Sequence, residues 1–126
     1  MKNLITLAVM AMLLVCSGCG DSREAVAEDG MANMKELVAT LDTVKDEASA
    51  KAAKPKLEKL VKQMNEIKER QTKLGDPTEA EMKSLMEKHG DEMEALQKKM
   101  VTVMMRIQFD PEIQKVLSDI DMKAMR

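Results

Sequence analysis

The sequence predicts an all-α protein: an antiparallel helical hairpin or bundle of three to four helices, coiled-coil-like, that follows an N-terminal signal peptide. From Met31 onward apolar residues recur every three or four positions, and no segment alternates in the manner of a strand. Prolines and glycines stand where such helices should break, at Gly75, Pro77 and Pro111. After the leader about 108 residues remain, enough for one core without disulfides.

The first 18 residues are predicted to be a signal peptide. Lys2 gives the positive beginning, residues 4–15 form an apolar run, and small residues follow. The run is shorter than the roughly 20 apolar residues that a membrane-spanning helix needs. We therefore expect the leader to be cleaved.

The stretch Ser17-Gly18-Cys19 resembles the lipobox of bacterial lipoproteins. The resemblance implies that Cys19 is the mature N-terminus and carries acyl chains such as palmitate, which anchor the protein to a membrane. Cys16 stands where the family usually has leucine. Gly20 replaces the aspartate that favours inner-membrane retention in enterobacterial lipoproteins, so an outer-membrane destination is allowed. Ordinary secretion with cleavage after Gly18, and an uncleaved anchor, are the alternatives.

Two segments are predicted after the leader: a polar tether over residues 19–30 and a helical bundle domain over residues 31–126. Part of the tether can be helical, since residues 23–28 contain good helix formers. The first helix should occupy residues 31–46. Its stripe is Met34, Leu37, Leu41, Val44 and Ala48. The second helix should begin near Pro55 and end at Gly75. Its stripe is Leu57, Leu60, Met64, Ile67 and Leu74.

A capping box, Thr78 with Glu81, predicts the start of the third helix. Its heptad seam is Met82, Met86, His89, Met93, Leu96, Met100, Val103 and Ile107. Because Gly90 leaves the heptad phase unchanged, we expect one continuous helix. The short connection over residues 75–78 predicts that helices two and three run antiparallel with their stripes facing each other.

A short fourth helix should follow Asp110-Pro111, which supply an N-cap and a first-position proline. Its apolar face is Ile113, Leu117, Ile120 and Ala124. With a helix at each end, the hairpin can cover every apolar stripe within one chain.

The composition disfavours several classes of function. Phe109 is the only aromatic residue, so base-stacking surfaces and sugar or nucleotide pockets are not expected. The formal net charge of -2 does not favour nucleic acid as a partner. No nucleophile motif and no phosphate-binding glycine loop is present, so we predict no catalytic residues, no enzyme activity and no cofactor. Cys16 leaves with the leader and Cys19 is acylated, which leaves no thiol.

His89 is the only histidine, which excludes paired-histidine metal sites. Asp91 and Glu92 beside it could help to hold a metal, but we interpret His89 as a seam residue and assign no metal ligand. The 14 methionines also have alternative interpretations. They can fill the core, form an adaptable protein-binding surface or bind Cu(I) through their thioethers.

Residues 100–109 are apolar nearly all round the helix, which a two-helix seam does not require. Either helices one and four cover this stretch, or it contacts a partner or a second copy. The candidate partner surface is Met100, Val101, Met104, Met105 and Phe109.

These patterns predict a non-enzymatic, lipid-anchored helical module in the bacterial cell envelope, with its domain facing the periplasm or the exterior. It would act through an envelope protein partner or by self-association. The alternative is a methionine-rich protein that binds or buffers copper. Residues 45–57 resemble uncharacterised small helical lipoproteins, which implies no activity. The murein-type lipoprotein is an unbroken heptad rod ending in lysine, so its structural role does not carry over to a chain interrupted by three prolines.

Overall fold

The computed structural model describes residues 22–120, which form four α-helices. They are α1 (Arg23–Asp42), α2 (Glu47–Leu74), α3 (Glu79–Phe109) and α4 (Pro111–Leu117). The predicted all-α class is confirmed, since residues 22–120 contain no strand. The predicted signal peptide, Cys19 and Ala124 lie outside the described residues.

Helix α1 begins well before the predicted boundary at Met31. Ser22 is its N-cap, and the Ser22 Oγ accepts a hydrogen bond of 3.1 Å from the Ala25 amide. Val26, in the first turns, is completely buried. Residues 23–30 are therefore part of the packed bundle, and the assignment of these residues to a polar tether was wrong.

Helix α2 also begins earlier than expected, because its first turn is strongly capped. Asp46 Oδ1 accepts a 2.7 Å hydrogen bond from the Ser49 amide, and Ser49 Oγ accepts one of 3.0 Å from the Asp46 amide. Pro55 consequently lies inside the helix, where it leaves one backbone hydrogen bond unmade. The cap and the burial of Ala50 and Ala53 offset this loss.

The predicted beginnings of the last two helices are confirmed. At α3 the Thr78 amide donates to Glu81 Oε2 over 2.8 Å, and the Glu81 amide donates to Thr78 Oγ1 over 3.2 Å. Helix α3 continues through Gly90 without a break. At α4, Asp110 caps the helix and Pro111 is its first residue.

Helices α1 and α2 pack side by side in opposite directions. Arg70, late in α2, pairs with Asp29, early in α1, over 2.7 Å. Lys56, early in α2, pairs with Glu36, late in α1, over 2.9 Å. Between them the nearly buried Asn33 donates to the Leu60 carbonyl over 3.3 Å. The two helices are therefore antiparallel along their contact.

Helix α3 packs on another side of α1 and runs parallel to it. Lys88 pairs with Glu24 near the start of both helices, and Arg106 lies 3.5 Å from Asp42 near the end of both. In the described part of the chain α2 and α3 make no contact with each other, because α1 lies between them. They run in opposite directions as predicted, but the expectation that their stripes face each other was wrong.

The main core forms where the end of α1, the start of α2, the end of α3 and α4 meet. Its buried members are Leu37, Leu41, Val44, Ala50, Ala53, Leu57, Leu60, Val61, Val103, Ile107, Ile113, Leu117 and Ile120. Helix α3 contributes only Val103 and Ile107 as buried residues, although it is the longest helix. Most of its predicted seam therefore lies outside the core.

At the opposite end of the bundle, Arg23 joins the start of α1 to the turn between α2 and α3. Gly75 closes α2 with a φ of 73°, in the left-handed region that favours glycine. The guanidinium donates to the carbonyls of Leu74 at 3.0 Å, Gly75 at 3.0 Å and Asp76 at 3.2 Å. It also pairs with Glu81 at 3.0 Å. Four partners thus fix one side chain.

Replacing Arg23 with alanine should lower the free energy of unfolding by about 1–3 kcal/mol, because charged hydrogen bonds to three carbonyls are lost. Denaturant titration followed by far-UV circular dichroism measures the change. The control is Lys83→Ala, since Lys83 makes only an exposed 3.9 Å pair with Glu87 and should change the free energy by less than about 0.5 kcal/mol. Equal effects of the two substitutions would contradict the role given to Arg23.

Stability should fall in acid partly through Glu81. The Thr78 amide, and then the charge of Arg23, lower the pKa of Glu81 from its ordinary value of 4.5. A carboxyl group whose pKa is lowered by folding stabilises the protein above its ordinary pKa, and this contribution disappears as the pH falls. Glu81→Gln should therefore lose less stability than the parent between about pH 5 and about pH 3. If the free energies of unfolding of the parent and of Glu81→Gln fall by the same amount over this pH range, Glu81 contributes nothing to the loss of stability in acid.

Candidate protein-contact surface on helix α3

The C-terminal part of α3 carries three large apolar side chains that point away from the core. Val101 is 53% exposed, Met105 52% and Phe109 79%. Successive members are four residues apart, so they form one ridge along the helix surface. We call Val101, Met105 and Phe109 the distal patch.

The five predicted surface residues separate onto two sides of α3. Met100 packs against the main core, and Met104 is also partly buried. Val103 and Ile107, on that same side, are buried where α3 meets α1 and α4. Helices α1 and α4 thus cover one side of this stretch, and among the described residues the side with the distal patch stays exposed.

The distal patch lies on a firmly held part of the helix. Arg106, between Met105 and Ile107, donates to the carbonyls of Leu41 and Asp42, each over 3.3 Å. These bonds tie the end of α3 to the end of α1. The helix then stops at Phe109, and Asp110 starts α4 in a new direction. Phe109 therefore projects at a corner, which explains its high exposure.

A second apolar surface lies in the N-terminal half of α3. Met82 is 50% exposed, Met86 54% and Met93 47%. We call these three residues the methionine stripe. They were predicted to pack against helix two, but α1 occupies that place and contacts the adjacent side of α3. Heptad spacing identified the apolar face of α3 correctly. It did not determine how much of that face is covered by other helices.

The region around His89 gathers no set of charged metal ligands. Glu92 pairs with Lys35 of α1, and Asp91 is exposed. Across residues 22–120 no three histidine, cysteine, aspartate or glutamate side chains come together as a group that could hold a metal. His89 itself is half-buried, and its Nε2 atom is buried without a hydrogen-bond partner.

Sequence reasoning missed two polar residues that organise the bundle. Arg23 lay in the predicted tether, and Asn33 lay on the polar side of the predicted first helix. Asn33 is only 6% exposed and also donates to Gln63 Oε1 over 3.2 Å. A shallow cleft between α1 and α2 runs past Asn33, and the Asp29–Arg70 ion pair lies along it. These polar groups hold helices together and leave the exposed apolar surfaces of α3 as the candidate contact sites.

None of the helices within residues 22–120 has the length and apolar character needed to cross a membrane. In comparisons with known proteins, no family model, no curated protein and no solved structure matches this chain.

Proposed function

We propose that this protein is a non-enzymatic, lipid-anchored helical module of the bacterial cell envelope that binds another envelope protein through the distal patch. The observation that carries the proposal is the exposure of Val101, Met105 and Phe109 along one ridge. Phenylalanine and methionine are enriched in protein interfaces, and adjacent exposed apolar side chains mark contact sites.

A groove on a different protein fits the distal patch better than a second copy does. Its three side chains together expose only a few hundred Å². A specific interface usually buries about 800 Å² on each partner, whether that partner is a second copy or another protein, so residues around the distal patch would also take part. Phe109 projects from a convex corner, and a convex side chain is buried best in a concave apolar pocket. The partner should therefore present such a pocket.

The lipid anchor would set the orientation of the bundle. Cys19 precedes Arg23 by four residues, which span at most about 14 Å. Arg23 contacts the turn between α2 and α3, so this end of the bundle would lie next to the membrane. The domain would then face the periplasm or the exterior.

The same geometry would hold the distal patch away from the lipid. Glu81 lies at the anchored end, beside Arg23. Met105 lies 24 residues further along α3, and at 1.5 Å per residue the distance is about 36 Å. The protein would therefore act as a short spacer that presents an apolar ridge to a protein beyond the membrane surface.

Replacing Val101, Met105 and Phe109 together with serine should abolish co-purification of the partner from detergent-solubilised membranes. The melting temperature should change little, because these side chains contribute little to the core. Pull-down of the tagged full-length chain, followed by mass spectrometry of the bound proteins, measures the effect. The partner should be a stoichiometric protein that the parent retains and the variant loses.

The matched control replaces Met82 and Met93 with serine, which removes similarly exposed apolar groups from the other half of the same helix. This variant should retain the partner. Equal loss from both variants would contradict the distal patch as the contact. Recovery of only a second copy of the chain would show self-association and would overturn the choice of a different protein.

Intact-mass measurement should show a mature chain that begins at Cys19 and carries the added mass of acyl chains. Cys19→Ala should eliminate that added mass, because it removes the thiol that the lipobox resemblance assigns as the site of acylation. Cys16→Ala should leave it unchanged. A mature chain with an unmodified Cys19 would indicate ordinary secretion, and a chain that keeps its first 18 residues would indicate an uncleaved anchor; both results contradict the lipoprotein proposal.

A further inference from the structure

Three thioethers and the only imidazole of the chain share one face of α3. The residues are Met82, Met86, His89 and Met93, at spacings of four, three and four positions. Such spacing places side chains on one side of a helix, one turn above another. All three methionines are about half exposed, so a small solute can reach this face.

The imidazole offers an unused ligand atom. His89 Nε2 is buried and has no hydrogen-bond partner. Buried polar atoms without a partner are uncommon in folded proteins, and each one requires an explanation. In the imidazole tautomer that carries its proton on Nδ1, the Nε2 atom has the lone pair that binds a metal ion.

The Met86 side chain extends toward the turn that contains His89. Its methyl carbon lies 4.0 Å from the point where a Cβ atom on Gly90 would be. Met86 and His89 are three residues apart, so their side chains are neighbours on the surface of the helix. A thioether and an imidazole at this spacing can bind one ion together.

We propose that Cu(I) binds here, with His89 Nε2 and the Met86 thioether as ligands. Thioether and imidazole donors suit this soft ion. Harder ions prefer carboxylates, and the described part of the chain brings together no group of such ligands. The site is separate from both the distal patch and the lipid anchor, so it does not depend on the function proposed above.

Ag(I) tests the site as a soft monovalent ion that does not change its oxidation state. The protein is the full-length chain with Cys16→Ala and Cys19→Ala, because free thiols would compete for the ion. It is kept in detergent and chloride-free buffer, with carbon-13 in the methionine methyl groups. The Met86 methyl and His89 ring signals should shift first in NMR spectra and saturate at one equivalent. The Met105 methyl signal should not move.

Met86→Leu and His89→Gln should each weaken the affinity for Ag(I) at least about tenfold, since each removes a ligand. Met86→Leu keeps the side-chain volume, so its melting temperature without metal should match that of the parent. Met105→Leu is the matched control, because Met105 is equally exposed on another side of α3. The proposal is wrong if Met86 responds no earlier than Met105, or if Met86→Leu binds Ag(I) as tightly as the parent.

Discussion

The fold depends on α1 being held along its length between two helices that do not contact each other. Ion pairs join one side of α1 to α2, which runs antiparallel to it, and another side to α3, which runs parallel to it. Leu37 and Leu41 bury its middle and end in the main core, and Val26 is buried near its start. Most of the buried surface of α2 and α3 therefore lies against α1, and α4 completes the core at one end.

This arrangement explains why α3 keeps so much apolar surface. A helix held between two close neighbours loses most of its exposed face, but α3 has α1 on one side and the short α4 only near its end. The remaining surface divides into the distal patch and the methionine stripe. The two surfaces differ in chemistry, because one ends in a projecting aromatic ring and the other combines thioethers with an imidazole. Their proposed partners, a protein and a metal ion, follow from that difference.

Periodicity and caps predicted the helices, whereas packing partners could not be predicted from them. The Thr78–Glu81 and Asp110-Pro111 signals are local and were confirmed. The tether was misassigned because residues 23–30 are polar, and polarity does not show that Arg23 binds carbonyls far away in the sequence. A short connection likewise fixes the relative direction of two helices, and does not determine whether a third lies between them.

The sequence predicted the candidate surface as one continuous stretch. The structure shows that the residues of this stretch lie on different sides of α3. Successive residues on a helix differ by about 100° in direction, so neighbouring Met100 and Val101 point to different sides. Which of them is exposed depends on where α1 and α4 lie, and those positions arise from contacts between distant residues. The proposed Met86–His89 site was not identified from the sequence for a related reason. Their heptad positions group them with core residues. Only the structure shows that this part of the predicted seam is exposed to solvent.

The position of α1 also determines when the chain can fold. The helix that the bundle requires is synthesised first, but its contacts with Arg106 and with the core residues of α4 involve residues made last. Contacts between residues that are far apart in the sequence form slowly, because a long loop must close before these contacts can stabilise the fold. A nascent chain that cannot complete its core until almost all of it has been made stays extended for longer. That delay would suit the export across a membrane that we propose for this chain.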